Sequence, residues 1–449
     1  MKILIKNTLI INEGRSFSGA VLIEGNFITG VFEDNSCMDI VDIMDNVYEI
    51  DASGKLLLPG VIDDHVHFRE PGLTHKGDIR SESHAAVAGG VTTFMDMPNT
   101  MPQTVTVEDL DWKFERAAEV SAANYTFFFG GTNENVKLIH LLDKKRIPGI
   151  KLFLGASTGN MLVDREDSFK RFFGETDMLI AVHAEKEDII KKNKAYYISR
   201  YGQNLDISFH SKIRSANACY ASSSEAVELA KKLGARLHIL HLSTSKELEL
   251  LDRGEIKSRK ITGEACIHHL WFCEKDCKRL GNLIKWNPAI KTSYDRESLQ
   301  KAVKEDIISV VATDHAPHLL SEKEGTCLVA ASGGPLVQHS LLIMLELADE
   351  GIFTKEKVVE KMCHHPADLY GIDRRGYIKE GYYADIVLID PKKSYAVTKN
   401  NILYKCKWSP FEGYTFKNSV WKTFVNGNIV YQNDAVNEAA KGSEVRFEC

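Results

Sequence analysis

No apolar run in this 449-residue chain reaches the roughly 18 residues that a membrane-spanning helix needs, so we expect no transmembrane segment and no membrane partner. The first residues resemble a strand and have no apolar core typical of a signal peptide. Charge of one sign does not dominate either, because 56 Lys and Arg residues are scattered among 62 Asp and Glu residues. We therefore expect no nucleic-acid partner.

The number and spacing of the cysteines favour reduced thiols over a disulfide framework. The nine cysteines form an odd, irregularly spaced set, and Cys273 and Cys277 have no second pair that would complete a zinc knuckle. Without a secretion signal, this pattern predicts reduced thiols and a cytoplasmic protein. The chain has no internal repeat or low-complexity segment, and its length predicts two or three domains around a large core.

Both ends of the chain are rich in short strands. Residues 1–50 contain apolar runs joined by a Glu-Gly-Asn turn at 24–26. Near the other end, residues 384–390 form a buried-strand pattern and residues 425–430 an Asn-Gly hairpin. We predict that residues 1–54 and 376–449 together form one small β-sandwich domain.

The central block, residues 55–375, alternates strand-like and helix-like segments. Amphipathic segments such as 222–233 and 293–304 lie between most of its apolar runs. Eight strands that alternate with helices predict an α/β fold of the (β/α)8 TIM-barrel type, with chemistry at the carboxyl ends of the strands. The predicted strands are 56–67, 91–97, 125–129, 150–154, 179–183, 237–241, 261–265 and 308–313.

Polar residues follow the first two predicted strands. His65 and His67 close the first, and alternation along a strand puts both imidazoles and Arg69 on one face. Two convergent imidazoles can begin a metal site, and a neighbouring arginine suits a carboxylate. Asn99 lies in the loop after the second strand. A histidine-bearing strand end without metal is the competing interpretation of the first pair.

Further strands add residues of the ligand type. Lys151 lies inside the fourth strand, where a bare ammonium is costly, and carboxylation by CO2 would convert it into a carbamate that can bridge two metals. His183 and His241 end the fifth and sixth strands, and Asp314 follows the eighth. Each could be structural by itself, but six such residues at one rim predict a binuclear metal site. Zinc is the default for imidazole-rich ligands, and cobalt or manganese would also fit.

Three motifs together carry a specific resemblance. His-Val-His-Phe-Arg-Glu-Pro-Gly at 65–72, Met-Pro-Asn-Thr at 97–100 and Asp-His-Ala-Pro-His at 314–318 resemble the dihydroorotase family of the amidohydrolase superfamily. Hydantoinases and dihydropyrimidinases are similar in fold but lack an arginine at the position of Arg69. Allantoinases share the Glu-Pro-Gly and typically carry asparagine at that position.

The resemblance implies a cofactor set of two zinc ions per chain. The more buried metal would be held by the two histidines of the first strand with Asp314, and the second by His183 and His241. Carboxylated Lys151 and a hydroxide would bridge the two ions. Asp314 would also act as the general base and acid.

The resemblance also implies a substrate and its contacts. The reaction would be the reversible cyclisation of N-carbamoyl-L-aspartate to L-dihydroorotate and water in de novo pyrimidine biosynthesis. Arg69, Asn99 and His318 would bind the substrate carboxylate. Asn287 is a further candidate contact, although its segment reads Asn-Pro-Ala-Ile-Lys where the family has Asn-Pro-Pro-Leu-Arg, and segment 331–335 is an atypical substrate loop. The small-molecule substrate would be the main partner, and a homodimer is expected.

Two alternatives stay open at this point. Another cyclic amidohydrolase, such as an allantoinase or a hydantoinase, would have little use for Arg69, because its substrate carries no carboxylate. A non-catalytic scaffold homologue would be expected to have lost ligands, whereas all six ligand-type residues are present.

Overall fold

The N-terminal segment forms five strands in which apolar residues face a buried core. In this computed structural model, which describes residues 2–34, 46–155 and 161–448, β1 pairs antiparallel with β2 and parallel with β4 and β5. The predicted turn at 24–26 is confirmed, because it joins β2 to β3. The strands are β1 (Lys2–Asn12), β2 (Arg15–Glu24), β3 (Phe27–Glu33), β4 (Val47–Asp51) and β5 (Leu56–Pro59).

The central block forms the predicted barrel of parallel strands, which is confirmed. Two hydrogen-bonded arcs, β6 to β8 and β9 to β14, make up its wall, and β8 and β9 are one strand interrupted at Phe128. The His67 N–H donates to the His315 carbonyl at 2.7 Å and joins the last strand to the first. The strands are β6 (Val61–Val66), β7 (Val91–Asp96), β8 (Asn124–Phe127), β9 (Phe129–Gly130), β10 (Ile150–Phe153), β11 (Ile180–His183), β12 (Leu237–Ile239), β13 (Ile261–Cys266) and β14 (Val310–Ala312).

Helices lie between most barrel strands. Side-chain caps begin several of them: the Thr106 and Thr292 hydroxyls accept backbone N–H groups at the starts of α2 and α9. None of the helices in the described ranges is long and apolar enough to cross a membrane. The helices are α1 (Ile79–Ala88), α2 (Val107–Val120), α3 (Glu166–Gly174), α4 (Glu187–Tyr201), α5 (His210–Ile213), α6 (Ala216–Leu233), α7 (Ile267–Trp271), α8 (Cys277–Leu280), α9 (Ser293–Lys304), α10 (Ser340–Asp349), α11 (Lys355–Val359) and α12 (His365–Tyr370).

The C-terminal segment completes the first sheet, so both termini build one unit, as predicted. The sheet order is β20-β19-β18-β15-β5-β1-β2-β3, with β4 beside β1. The Asn-Gly pair at 426–427 joins β18 to β19, which confirms the predicted hairpin. The strands are β15 (Ile386–Asp390), β16 (Tyr395–Ala396), β17 (Thr415–Phe416), β18 (Ser419–Val425), β19 (Asn428–Gln432) and β20 (Ala435–Val436).

The first predicted strand, 56–67, divides at Gly60. Its first part, β5, pairs with β15 in the terminal sheet, and its second part, β6, enters the barrel. A Cβ at Gly60 would lie 2.1 Å from Thr92 Oγ1, so the backbone passes too close for a side chain there. Both parts are fully buried, which is why the apolar pattern does not change at the division. The domain boundary at 54/55 stays a prediction.

Candidate active site

A cavity opens at the carboxyl ends of the barrel strands. Parallel strands end at the same rim, so the residues that follow each strand converge there. The structure brings all ten residues singled out from the sequence to this cavity, while the roles assigned to them stay predictions. They are His65, His67, Arg69, Asn99, Lys151, His183, His241, Asn287, Asp314 and His318.

The two histidines of β6 face one carboxylate. Asp314 Oδ1 lies 3.4 Å from His65 Nε2 and 3.0 Å from His67 Nε2. Although burial opposes ionisation, the two imidazoles lower the pKa of Asp314 to about 2. One atom from each of the three side chains lies within 4.8 Å of the others, and all three residues are buried. Two nitrogens and one anionic oxygen at this spacing fit a transition-metal ion.

The second pair of histidines lies beside the first. His183 Nδ1 is 2.8 Å from His241 Nε2, and the His65 and His241 rings are 5.4 Å apart, centroid to centroid. Burial lowers the pKa of both His183 and His241 below the usual range. Both rings are therefore neutral near pH 7, which is the state in which an imidazole can donate a lone pair to a metal.

Lys151 lies inside β10, and its side chain is almost completely buried. Its Nζ lies 4.6 Å from the centre of the Phe153 ring. Burial lowers the pKa of Lys151 to about 7, although the Glu264 and Asp314 carboxylates oppose this shift. A large fraction of the side chain is therefore an uncharged amine near neutral pH. Such an amine can react with CO2, so the residue fits the bridging carbamate expected from the sequence.

Cations and an imidazole form the opposite side of the cavity. Arg69 Nε donates to the Pro317 carbonyl at 3.0 Å, and Arg69 Nη2 lies 3.2 Å from His318 Nε2. Burial lowers the pKa of Arg69 only to about 10, so the guanidinium stays charged at neutral pH. Lys76 Nζ lies 3.1 Å from the other ring nitrogen of His318. Burial and these two cations hold the pKa of His318 far below its usual range, and the ring is neutral.

Two amide side chains connect the cavity wall to its surroundings. Asn99 Oδ1 lies 2.7 Å from His67 Nδ1, so Asn99 orients a ligand-type histidine and keeps its amide NH2 group for another partner. Asn287 Oδ1 lies 3.1 Å from His210 Nε2. Asn99 therefore contacts a histidine of the predicted ligand set as well as lining the cavity as a predicted substrate contact.

Two buried glutamates that the sequence analysis missed contact ligand-type histidines. Glu264 Oε1 lies 2.5 Å from His65 Nδ1, and Glu185 Oε2 lies 3.1 Å from His183 Nε2. Arg214 pairs with the same oxygen of Glu185. Signals for both were present, since Glu185 follows His183 by two residues and Glu264 is an acid inside an apolar strand.

The family model named Amidohydrolase family matches residues 56–430. A dihydroorotase from Halobacterium salinarum is 35% identical and covers 96% of this chain and 100% of its own. A dihydroorotase from Methanosarcina acetivorans is 32% identical over 99% of this chain and 96% of its own.

Solved structures show the same architecture. An L-hydantoinase (dihydropyrimidinase) from Arthrobacter aurescens is 25% identical, with a TM-score of 0.92 over 99% of both chains. A dihydropyrimidinase from Brevibacillus agri, at 22% identity, has a TM-score of 0.86 over 99% of this chain and 98% of its own, and this likeness shows the fold alone. The family model and the sequence relatives show that the chain belongs to the amidohydrolase family and, within it, to the dihydroorotases.

Proposed function

We propose that the protein catalyses the reversible cyclisation of N-carbamoyl-L-aspartate to L-dihydroorotate and water, a step of de novo pyrimidine biosynthesis. The observation that carries this proposal is that Arg69, a buried cation, lines the same cavity as six residues of the ligand type. A guanidinium is matched in shape and charge to a carboxylate. A cyclic amide without a carboxylate would offer this guanidinium no anion to bind.

Two divalent ions, by default zinc, would be held by the ligand-type residues. The histidines of β6 with Asp314 would hold one ion, and His183 with His241 the other. Lys151 would bridge them after its amine attacks CO2 and loses a proton. When bound, the metals would polarise the scissile carbonyl and make a water acidic enough to supply a nucleophile near neutral pH.

Asp314 is suited to carry the proton between water and the ring nitrogen. Its low pKa keeps the carboxylate ionised at neutral pH, so it can accept a proton from the attacking water. In ring opening, the same carboxyl group would deliver that proton to the departing amide nitrogen. In ring closure the proton would move the opposite way.

Arg69, Asn99 and His318 would position the substrate rather than react with it. Arg69 uses Nε to donate to the Pro317 carbonyl, which orients the guanidinium. By holding the substrate carboxylate, this group would position the reacting carbon of the substrate beside the metals without taking part in the reaction itself.

A parallel assay tests the function. Metal-replete protein is supplied with dihydroorotate, hydantoin and allantoin under the same conditions, and the rates of ring opening are compared. We expect kcat/KM to be highest for dihydroorotate. A higher value for hydantoin or allantoin would overturn the proposal in favour of another cyclic amidohydrolase, and no turnover of any substrate would favour a scaffold homologue.

We infer that the active form is a cytoplasmic homodimer, on the strength of the family resemblance. The chain has a mass of 50.4 kDa, so light scattering on the purified protein should report about twice that mass. A mass equal to one chain would contradict the dimer and leave the proposed reaction unaffected.

A further inference from the structure

The side chain of Glu264 touches ligand-type residues from two different strands. It lies on β13 and is completely buried. Its Oε1 atom is 2.5 Å from His65 Nδ1 and accepts the backbone N–H of His241 at 3.0 Å. His65 and His241 belong to opposite halves of the proposed ligand set, so one carboxylate oxygen connects both halves.

The contact with His65 has a consequence for its ligand atom. When Nδ1 donates to Glu264, the proton is held on that nitrogen and Nε2 carries the lone pair. Nε2 is the atom that faces Asp314, at 3.4 Å. Glu264 therefore sets both the tautomer and the ring orientation that a metal on this side requires.

The contact with His241 acts on the backbone. The φ angle of His241 is 40°, in the left-handed region that residues with a side chain rarely adopt. Such a conformation persists when surrounding contacts hold it in place. The hydrogen bond from the His241 N–H to Glu264 is such a contact, and it lies at the residue whose imidazole must point into the cavity.

Glu185 provides a contrast within the same site. Its Oε2 lies 3.1 Å from His183 Nε2, and Arg214 pairs with the same oxygen. Within the described ranges of the chain, the Glu185 side chain makes no hydrogen bond or ion pair with a second ligand-type residue. A change at Glu185 should therefore act on one half of the ligand set.

We propose that Glu264 is a positioning residue that holds His65 and the backbone of His241 together, so that both metals depend on one carboxylate. This inference rests on the binuclear centre of the proposed function. A residue that orients only one ligand would affect the binding of only one ion. This inference instead predicts that a single substitution at Glu264 weakens the binding of both ions.

The test compares Glu264→Gln with Glu185→Gln, two changes that each remove one charge at nearly constant volume. Metal-free proteins are titrated with zinc in competition with a chromophoric chelator. We expect Glu264→Gln to weaken both zinc ions about ten- to a hundredfold and Glu185→Gln to weaken only one. Wild-type affinity for either ion in Glu264→Gln would overturn the inference.

Further variants separate positioning from folding. The Cys266 thiol lies 3.4 Å from Glu264 Oε1. Cys266→Ser replaces this thiol with another donor and leaves Glu264 intact, so the variant should bind both ions like the wild type. Far-UV circular dichroism and Tm of the metal-free proteins report folding. Where Glu264→Gln does not fold, Glu264→Asp replaces it: the charge stays but the reach shortens, and both ions should again bind more weakly. Unchanged affinity in Glu264→Asp would overturn the inference.

The outcome for the wild type separates this inference from the proposed function. Two zinc ions in the wild type and unchanged binding in the Glu264 variant would overturn the inference alone. Fewer than two ions in the wild type would overturn the binuclear centre and this inference with it.

Discussion

His65 and Arg69 lie on the two sides of the cavity and have different kinds of partner. On the metal side, the His65 imidazole contacts the carboxylate of Glu264 at 2.5 Å. On the opposite side, Arg69 donates to the Pro317 carbonyl at 3.0 Å. Lys323, close to this side, donates to three backbone carbonyls at distances of 2.6 to 3.1 Å.

This difference decides how much charge is left for a ligand. A carboxylate beside an imidazole increases the electron-donating power of the ring and suits it to a metal. A backbone carbonyl satisfies a donor but brings no formal charge, so the cation keeps its attraction for an incoming anion. Burial lowers the pKa of Lys323, but three carbonyl acceptors require the three N–H groups of an ammonium. This difference supports the proposal that the side with His65 binds cations and that the side with Arg69 binds an anion.

The largest effect is expected for Lys151→Ala on the metal side. Without the bridging group, the protein should lose zinc, and activity should fall at least about a thousandfold. Short carboxylic acids should restore part of both by supplying a bridge. Elemental analysis and the dihydroorotase assay check this, and two zinc ions with full activity would contradict it.

The pKa of Lys151 predicts that the rate at which metal-free protein regains zinc and activity depends on pH. Its pKa is about 7, and only the neutral amine reacts with CO2, so the reactive form prevails above pH 7 and is lost below it. Metal-free wild-type protein given zinc at the same partial pressure of CO2 at each pH should therefore regain activity more slowly at pH 6 than at pH 8. Equal rates at both pH values would argue against carboxylation.

Asp314→Asn should lower kcat about a hundred- to ten-thousandfold, with a much smaller change in substrate affinity. The physical reason is that asparagine cannot carry the proton. Because Asp314 is also a candidate ligand, zinc content is measured on the same sample. A variant within tenfold of the wild type, with both metals in place, would remove Asp314 from the proton-transfer role.

Arg69→Met tests the anion side without touching a ligand. A charge-assisted pair contributes about 1.5–3 kcal/mol, so kcat/KM for dihydroorotate should fall about tenfold to a few hundredfold. Zinc content should not change, and any activity on uncharged dihydrouracil should be nearly unaffected. Equal damage to both substrates would mean that Arg69 is structural and that the two sides do not differ as described.

The smallest effect is expected for Lys323→Met. The ammonium of Lys323 donates to the backbone carbonyls of residues 285, 331 and 333, and so holds two loops together. Residues of both loops line the cavity. We expect KM for dihydroorotate to rise about three- to tenfold, with kcat and zinc content unchanged. Lys301→Met, at a side chain that is 71% exposed, is the matched control and should behave like the wild type. A fall in kcat with KM unchanged would contradict this role for Lys323.

Much of the site could be predicted because, in a barrel, a residue's place along its strand determines whether it reaches the rim where the strands end. The residues after each predicted strand reach the same rim, and the structure places all ten candidates there. The resemblance to dihydroorotases, carried by three short motifs, is confirmed by relatives that match over nearly the whole chain. The barrel strands themselves lie within a few residues of the predicted ones.

Contacts between distant strands could not be predicted in the same way. Glu264 is separated from His65 by 199 residues, and Glu185 pairs with Arg214, which lies on a different segment of the chain. A buried acid in an apolar strand has many possible partners, and alternation gives only its face. The division of strand 56–67 at Gly60 was also missed, because both parts are buried in different sheets.

The sequence by itself determined the chemistry available to this protein: the kinds of side chain, the strand ends that carry them, and an arginine two residues beyond a histidine pair. These properties follow from local periodicity, which is complete within a few residues. Only the tertiary structure decided which partner each charged group has, because those contacts join segments far apart in the chain. It is this choice of partner, a carboxylate for His65 and a carbonyl for Arg69, that distinguishes the proposed metal side of the cavity from the side proposed for the substrate carboxylate.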